Sequence, residues 1–156
     1  MSQSIWFEEI TLDQLRQLES VTFASFIGVE LTDLGPNYLA GRMQVTRHHL
    51  QPFGVLHGGA SVALAETLGS VAANCVIDRQ LTHCVGQSVS ANHVRPVQDG
   101  YVTGIARPHH IDEQRHVWEI ILRRADKEVF CISTLTMAVL RRASASRSEQ
   151  RSGSSV

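Results

Sequence analysis

The chain has 156 residues, with 14 Lys+Arg against 15 Asp+Glu and a formal charge of −1, which argues against a nucleic-acid coat or a polybasic membrane anchor. With 43% apolar and 19% charged residues, it is too apolar to be disordered and is sized for one compact domain with an ordinary core. Cys75, Cys84 and Cys131 are odd in number and form no Cys-x-x-Cys, and neither a basic-then-apolar leader nor a run of about 18 apolar residues occurs; the expectation is a soluble cytoplasmic protein in a reducing compartment.

Thr11-Leu12-Asp13-Gln14 has the form of a capping box and predicts a short helix over 12–20. Residues 28–46 mix apolar and polar positions around a turn at Gly35-Pro36-Asn37, as a hairpin does. Pro52 and Gly54 mark 47–57 as a loop, and 58–77, rich in Ala and Leu without proline, predicts one long helix. Four strands are expected over 83–95, 100–111, 115–125 and 128–140, with turns at Asp99-Gly100 and Asp126-Lys127. Residues 1–140 form a single domain in this reading. Residues 141–156, with six serines and four arginines, read as a disordered tail. A long helix against a largely antiparallel sheet is an α+β architecture, because each has one face to bury.

The stretch 48–77 contains one charged residue, Glu66, where about six are expected at the chain's average. Helical neighbours at three- and four-residue spacing are Val62, Ala63, Gly69 and Ser70, all small or apolar. A carboxylate there is costly unless paired or hydrogen-bonded, so Glu66 is either a structural acceptor for a neighbouring loop or a working group. His57-Gly58-Gly59 stands where loop becomes helix. Its free first-turn amides can meet a developing oxyanion; the alternative is a tight helix entry with a capping histidine. Gly58 and Glu66 are eight residues apart, roughly 12 Å along a helix, too far for one chain to aim both at one carbonyl carbon. An isologous dimer with antiparallel helices would bring one subunit's Glu66 to the other's Gly58.

The run Gln51-Pro52-Phe53-Gly54-Val55-Leu56-His57-Gly58-Gly59-Ala60-Ser61, continuing through Ala65-Glu66-Thr67-Leu68-Gly69-Ser70, resembles the signature of the hot-dog-fold acyl-CoA thioesterases. It is most similar to the branch that holds the Arthrobacter-type 4-hydroxybenzoyl-CoA thioesterase and the 1,4-dihydroxy-2-naphthoyl-CoA and enterobactin-associated proofreading thioesterases. Val85-Gly86-Gln87-Ser88-Val89-Ser90-Ala91-Asn92-His93-Val94-Arg95-Pro96 and the strand around His110 to Trp118 resemble that branch too. The resemblance implies a hot-dog fold, a long helix wrapped by an antiparallel sheet, and hydrolysis of acyl-CoA thioesters, aromatic ones in this branch.

Residue by residue, it implies that Glu66 is the catalytic carboxylate, acting as nucleophile or general base. Gly58 offers its amide to the thioester oxygen, Gln51 and His57 hydrogen-bond near the carbonyl and thiolate, and Ser70 helps to orient the water or acyl group. His93 lies in the acyl pocket, with Val94 and Pro96 in the same matching run. Gly86, Arg95, His110, Gln114 and Arg115 fall where relatives contact pantetheine and nucleotide, although Asp112 and Glu113 make that stretch acidic; the alternatives are solvated strand ends for Arg95 and Arg115 and a surface histidine for His110. Coenzyme A enters as part of the substrate, and no metal or other cofactor is required. The partners implied are acyl-CoA and a second copy of the chain, commonly as a dimer of dimers, with no nucleic acid and no membrane.

Gly59-Ala60-Ser61-Val62-Ala63 lacks the second glycine of a nucleophile elbow, so Ser61 is expected within the helix. His48-His49 and His109-His110 are read as surface pairs rather than metal ligands. Two other readings use the same residues: an acyl-CoA hydratase or dehydratase moving a proton with Glu66 or His57, and a non-catalytic acyl-CoA-binding protein.

Overall fold

The computed structural model describes residues 4–143; the serine-rich tail, from 144 on, lies outside the described residues. Thr11 caps the first helix, α1 (Leu12–Leu18), and Gln14 returns a hydrogen bond to the Thr11 backbone. A second, four-residue helix, α2 (Phe23–Phe26), follows, capped by Thr22. It was not legible from periodicity, being a single turn that exposes Phe23 and Phe26. The expected hairpin is present as β1 (Val29–Leu34) and β2 (Leu39–Gln44), paired antiparallel. A short 3-10 turn at Arg47–His49 interrupts the loop before the long helix α3 (Gly58–Cys75). The strands β3 (Thr82–His93), β4 (Tyr101–Ile111), β5 (Arg115–Arg123) and β6 (Val129–Arg141) complete one six-stranded antiparallel sheet in the order β1-β2-β4-β5-β6-β3.

Several boundaries differ from expectation by one or two residues: α1 stops at Leu18, β5 at Arg123, and β6 runs on through Arg141, one residue into the expected tail. Helix α3 ends at Cys75 rather than near 77, because Val76 already bonds back to Ala73 in a tighter turn. Strand β3 ends at His93 rather than 95: Val94 still donates its N–H to the Phe130 carbonyl at 2.8 Å, and Arg95, which precedes Pro96, turns away. Both predicted turns occur, with left-handed backbone at Gly100 and Lys127.

The sheet curls around α3. Ser61, Leu64, Ala65, Leu68, Gly69, Ala72 and Ala73 are buried at three- and four-residue spacing, the stripe an amphipathic helix turns to a sheet. Facing them, β5 buries His116, Trp118, Ile120 and Leu122, and β6 buries Cys131, Ser133, Leu135 and Met137, at strand alternation. Glycines set the approach. Gly41 and Gly104 lie opposite each other across β2 and β4, and a methyl group on either would come within 2.6 or 2.7 Å of Leu68. Leu68 therefore enters a slot that only glycine leaves open. The second face of α3, with Gly59, Val62, Ala63, Glu66 and Ser70, borders a groove shared with α2 and stays partly open.

Candidate active site

His57 is the N-cap of α3. Its Nδ1 accepts the Gly59 N–H at 2.9 Å, while its carbonyl accepts the amides of Ala60 at 2.9 Å and Ser61 at 3.3 Å. Two consequences follow. A neutral imidazole that accepts at Nδ1 carries its proton on Nε2, so the exposed end of His57 is a donor. The Gly58 N–H is left as the first-turn amide with no acceptor among the described residues, aligned with the positive end of an 18-residue helix. The capping and functional readings of His57 are compatible, because they use different nitrogens.

Gly58 borders a cavity of about 370 Å³ that also holds Gln51, His93, Val94, Arg95 and Pro96. A methyl group on Gly58 would lie 3.0 Å from His93 Nε2, so glycine lets that imidazole close over the helix N-terminus. Six residues singled out from the sequence thus converge. Arg95 forms the rim, where its guanidinium pairs with Glu128 at 3.2 Å and donates to the Val129 carbonyl at 2.9 Å.

Glu66 occupies a different place. With Ser70, Gly59 and Ala63 it lines a groove of about 510 Å³ between α2 and α3. Its carboxylate packs on β3 at Gly86, where an added methyl would stand 2.7 Å from Oε1. At that point Gly86 and Ser88 pair with consecutive residues Met137 and Thr136, so Gln87 bulges out of the ladder. Glu19, Thr22 and Phe23 line the same groove and were missed from the sequence. Their one signal was Thr22 three residues before Ser25, which lacks the Glu or Gln of the usual capping box.

His110, Gln114 and Arg115 form the β4–β5 hairpin tip and are organised by Asp112. The His110 imidazole contacts Asp112 Oδ2 at 2.7 Å, and the amides of Gln114 and Arg115 both donate to Oδ1 at 2.7 Å. The His110 hydrogen bond, followed by those two amides, pulls the Asp112 carboxyl down to about 2. The acidity noted at this tip therefore has a local use. Arg115 pairs with Ala138, which pairs with Val85, so the tip stands two strands from Gly86, at the Glu66 end of the sheet.

The remaining candidates have other partners. His49 Nδ1 accepts the Thr46 N–H at 3.0 Å, and His109 pairs with Glu119 at 3.3 Å. Ser61 lies within α3 and is buried. All three cysteines are free and buried, and burial pushes the Cys75 and Cys84 thiols up to about 11, which keeps them protonated near neutrality. Among the described residues, no group of three His, Cys, Asp or Glu converges as metal ligands do, and no helix is long and apolar enough to cross a membrane.

Residues 53–131 match the model of the thioesterase superfamily. The chain belongs to the thioesterase superfamily. It is 40% identical over 136 residues to a proofreading thioesterase of Cronobacter turicensis, covering 87% of this chain and 98% of that one. It is 37% identical over 136 residues to the 1,4-dihydroxy-2-naphthoyl-CoA hydrolase of Escherichia coli, covering 87% and 99%. A solved thioesterase from Haemophilus influenzae superposes with a TM-score of 0.84 at 39% identity, over 88% of this chain and 95% of that one. The fold is the hot-dog fold of those neighbours, and this thioesterase is a thioester hydrolase by family.

Proposed function

We propose that this thioesterase hydrolyses aromatic acyl-CoA thioesters at a site shared by two subunits. The observation that carries the reading is the separation of Gly58 and Glu66. In one chain the unpaired amide and the carboxylate line different concavities, yet both flank β3, Gly58 beside His93 and Glu66 beside Gly86. Strand β3 is an edge of the sheet, with Val85 and Val89 exposed along it, and a long free edge is a template for pairing. Antiparallel pairing of two β3 strands that sets Gly86 opposite His93 of the partner subunit, with the two-fold axis near Ser90, brings each Glu66 to the partner's Gly58.

In that arrangement the thioester carbonyl oxygen accepts from the Gly58 N–H, and the Nε2–H of His57 and the Gln51 amide lie within reach of the carbonyl and the departing sulfur. Glu66 either takes a proton from water as that water attacks the carbonyl carbon or attacks directly to form an anhydride that water then opens. Collapse of the oxyanion breaks the C–S bond and expels coenzyme A as its thiolate, which takes up a proton from the water consumed, with the acid as the other product. Ser70, one turn after Glu66, orients water or acyl group. Preorganised amide donors of this kind are worth about a hundred- to a thousandfold in rate.

The apolar groove beside Glu66, walled by Phe23, Val62 and Val71, supports a planar acyl group, and the related 1,4-dihydroxy-2-naphthoyl-CoA hydrolase supports an aromatic one. His110, Gln114 and Arg115 serve the nucleotide end of coenzyme A, and the buried free thiols support the cytoplasm. The test is release of thiol from benzoyl-, hydroxybenzoyl-, naphthoyl- and straight-chain CoA thioesters by native protein and Glu66→Gln. Aromatic substrates are expected to give the highest kcat/KM, and the variant to lose about a hundredfold or more in kcat. Preference for straight chains overturns the acyl assignment, and an unimpaired variant overturns the role of Glu66.

A further inference from the structure

Strand β3 bonds to β6 along one side and turns alternate backbone groups to its free edge. The phase is fixed at both ends: the Val139 N–H donates to Gln114, away from β3, and the Val94 N–H donates to Phe130. Cys84, which pairs with Val139, therefore points its N–H and C=O outward, as do Gly86, Val89, Ala91 and His93, whereas Ser90 bonds inward to β6. One of these outward positions is already occupied. Asn74, on α3, accepts the Cys84 N–H through Oδ1 at 2.9 Å and donates through Nδ2 to the Cys84 carbonyl at 3.1 Å and to the Ser70 carbonyl at 3.0 Å. A side-chain amide does for Cys84 what a neighbouring strand would do.

We propose that Asn74 is a positioning residue that sets the register in which two β3 strands pair, by closing the free edge at Cys84 and leaving only Gly86 to His93 open. The inference rests on the two-subunit reading above. With the two-fold axis on Ser90, Val89 bonds Ala91 of the partner subunit and the Gly86-Gln87 bulge meets the partner's His93, while Cys84 falls beyond the paired stretch. A slip of two residues moves the axis to Val89 and sets Cys84 against the partner's His93, where the Asn74 amide blocks it. That slip also draws Glu66 away from the partner's Gly58. Edge strands are otherwise prone to such slippage, and Asn74 lies two turns beyond Glu66 on the same helix, so one rigid element carries both the carboxylate and the stop.

Ser90 offers a direct reading of the register. Its backbone bonds to β6, so across the free edge the two Ser90 residues form a non-hydrogen-bonded pair, about 4.5 Å apart at Cα and within disulfide range. The reporter is Ser90→Cys under mild oxidation, with the native cysteines buried, read alongside dimer mass by sedimentation and steady-state kinetics. In the presence of Asn74 the reporter is expected to cross-link efficiently. In Asn74→Ala, cross-linking is expected to fall about tenfold at unchanged dimer mass, and kcat to fall by about tenfold to a hundredfold, as loss of alignment implies, with a smaller change in KM. Asn74→Asp, which keeps the acceptor for the Cys84 amide, is expected to fall between and carries the test alone if the alanine variant does not fold. Unchanged cross-linking and kcat in Asn74→Ala overturn the role of Asn74 while leaving the shared site standing. A fully active monomer in the parent overturns the shared site itself.

Discussion

Replacing Gly86 by alanine separates the demands of the fold from those of the chemistry. The added methyl would stand 2.7 Å from Glu66 Oε1, about 0.7 Å inside ordinary van der Waals contact. What must give is the end of a flexible side chain in a partly open groove, so the fold loses little: about 1 kcal/mol or less, in the range of substitutions that open no cavity and strand no polar group. The reaction has no such latitude. Moving the carboxylate by most of an ångström takes it off the line to the carbonyl carbon, and a misplacement of that size costs about a hundredfold in rate. Thiol release from an aromatic acyl-CoA, followed with a thiol reagent, should therefore show kcat down by one to two powers of ten, roughly as in Glu66→Gln, while thermal unfolding moves by only a few degrees. An unchanged kcat would refute the placement of Glu66 at the reacting centre. A large fall in stability with kcat intact would show instead that the Glu66–Gly86 contact serves the fold.

Other substitutions address the edge, the core and the acid limb. Val89→Pro removes an N–H that points away from β6, so the monomer's ladder should persist by far-UV circular dichroism while the dimer is lost by sedimentation, with a fall of about a hundredfold in kcat/KM; an active dimer in that variant contradicts pairing through β3. Gly41→Ala drives a methyl to 2.6 Å from Leu68 and 2.9 Å from the Glu30 carbonyl, and since backbone cannot yield as a carboxylate can, urea unfolding should show a loss of about 1–3 kcal/mol. Burial depresses the His116 pKa, against a smaller opposing pull from Asp112. The unfolded chain then takes up that proton first, so this part of the stability is complete above the ordinary value near 6.5 and is lost as pH falls below it. Melting temperatures measured between about pH 4 and pH 8 should fall less steeply on the acid side in His116→Gln.

The long helix was legible from its Ala and Leu content and lack of proline, and the later strands from apolar runs between turn residues, with β5 and β6 alternating as one-sided burial demands. The capping box at Thr11 and both left-handed turns were legible for a similar reason: they depend on residues a few positions apart. The turn of helix at Phe23 was not, since four residues are too few to show a period. The cross-strand slot of Gly41 and Gly104 was hidden too, because its halves lie 63 positions apart in the chain and meet only once β2 and β4 pair around Leu68.

The same division runs through the site. The sequence by itself singled out Glu66 as the lone charge of an apolar segment and His57-Gly58-Gly59 as a helix entry with amides to spare, and its motif indicated the thioester chemistry. The first two conclusions depend on composition and local backbone geometry, which a chain carries wherever it folds, and the third on the resemblance of that motif to the thioesterase signature. Folding alone settles that Gly86 makes room for Glu66, that His93 closes over Gly58, and that Asn74 caps the edge of β3. Each is a contact between α3 and β3 across the loop that joins them, set by the curl of the sheet around α3, and no local pattern encodes which glycine will face which side chain.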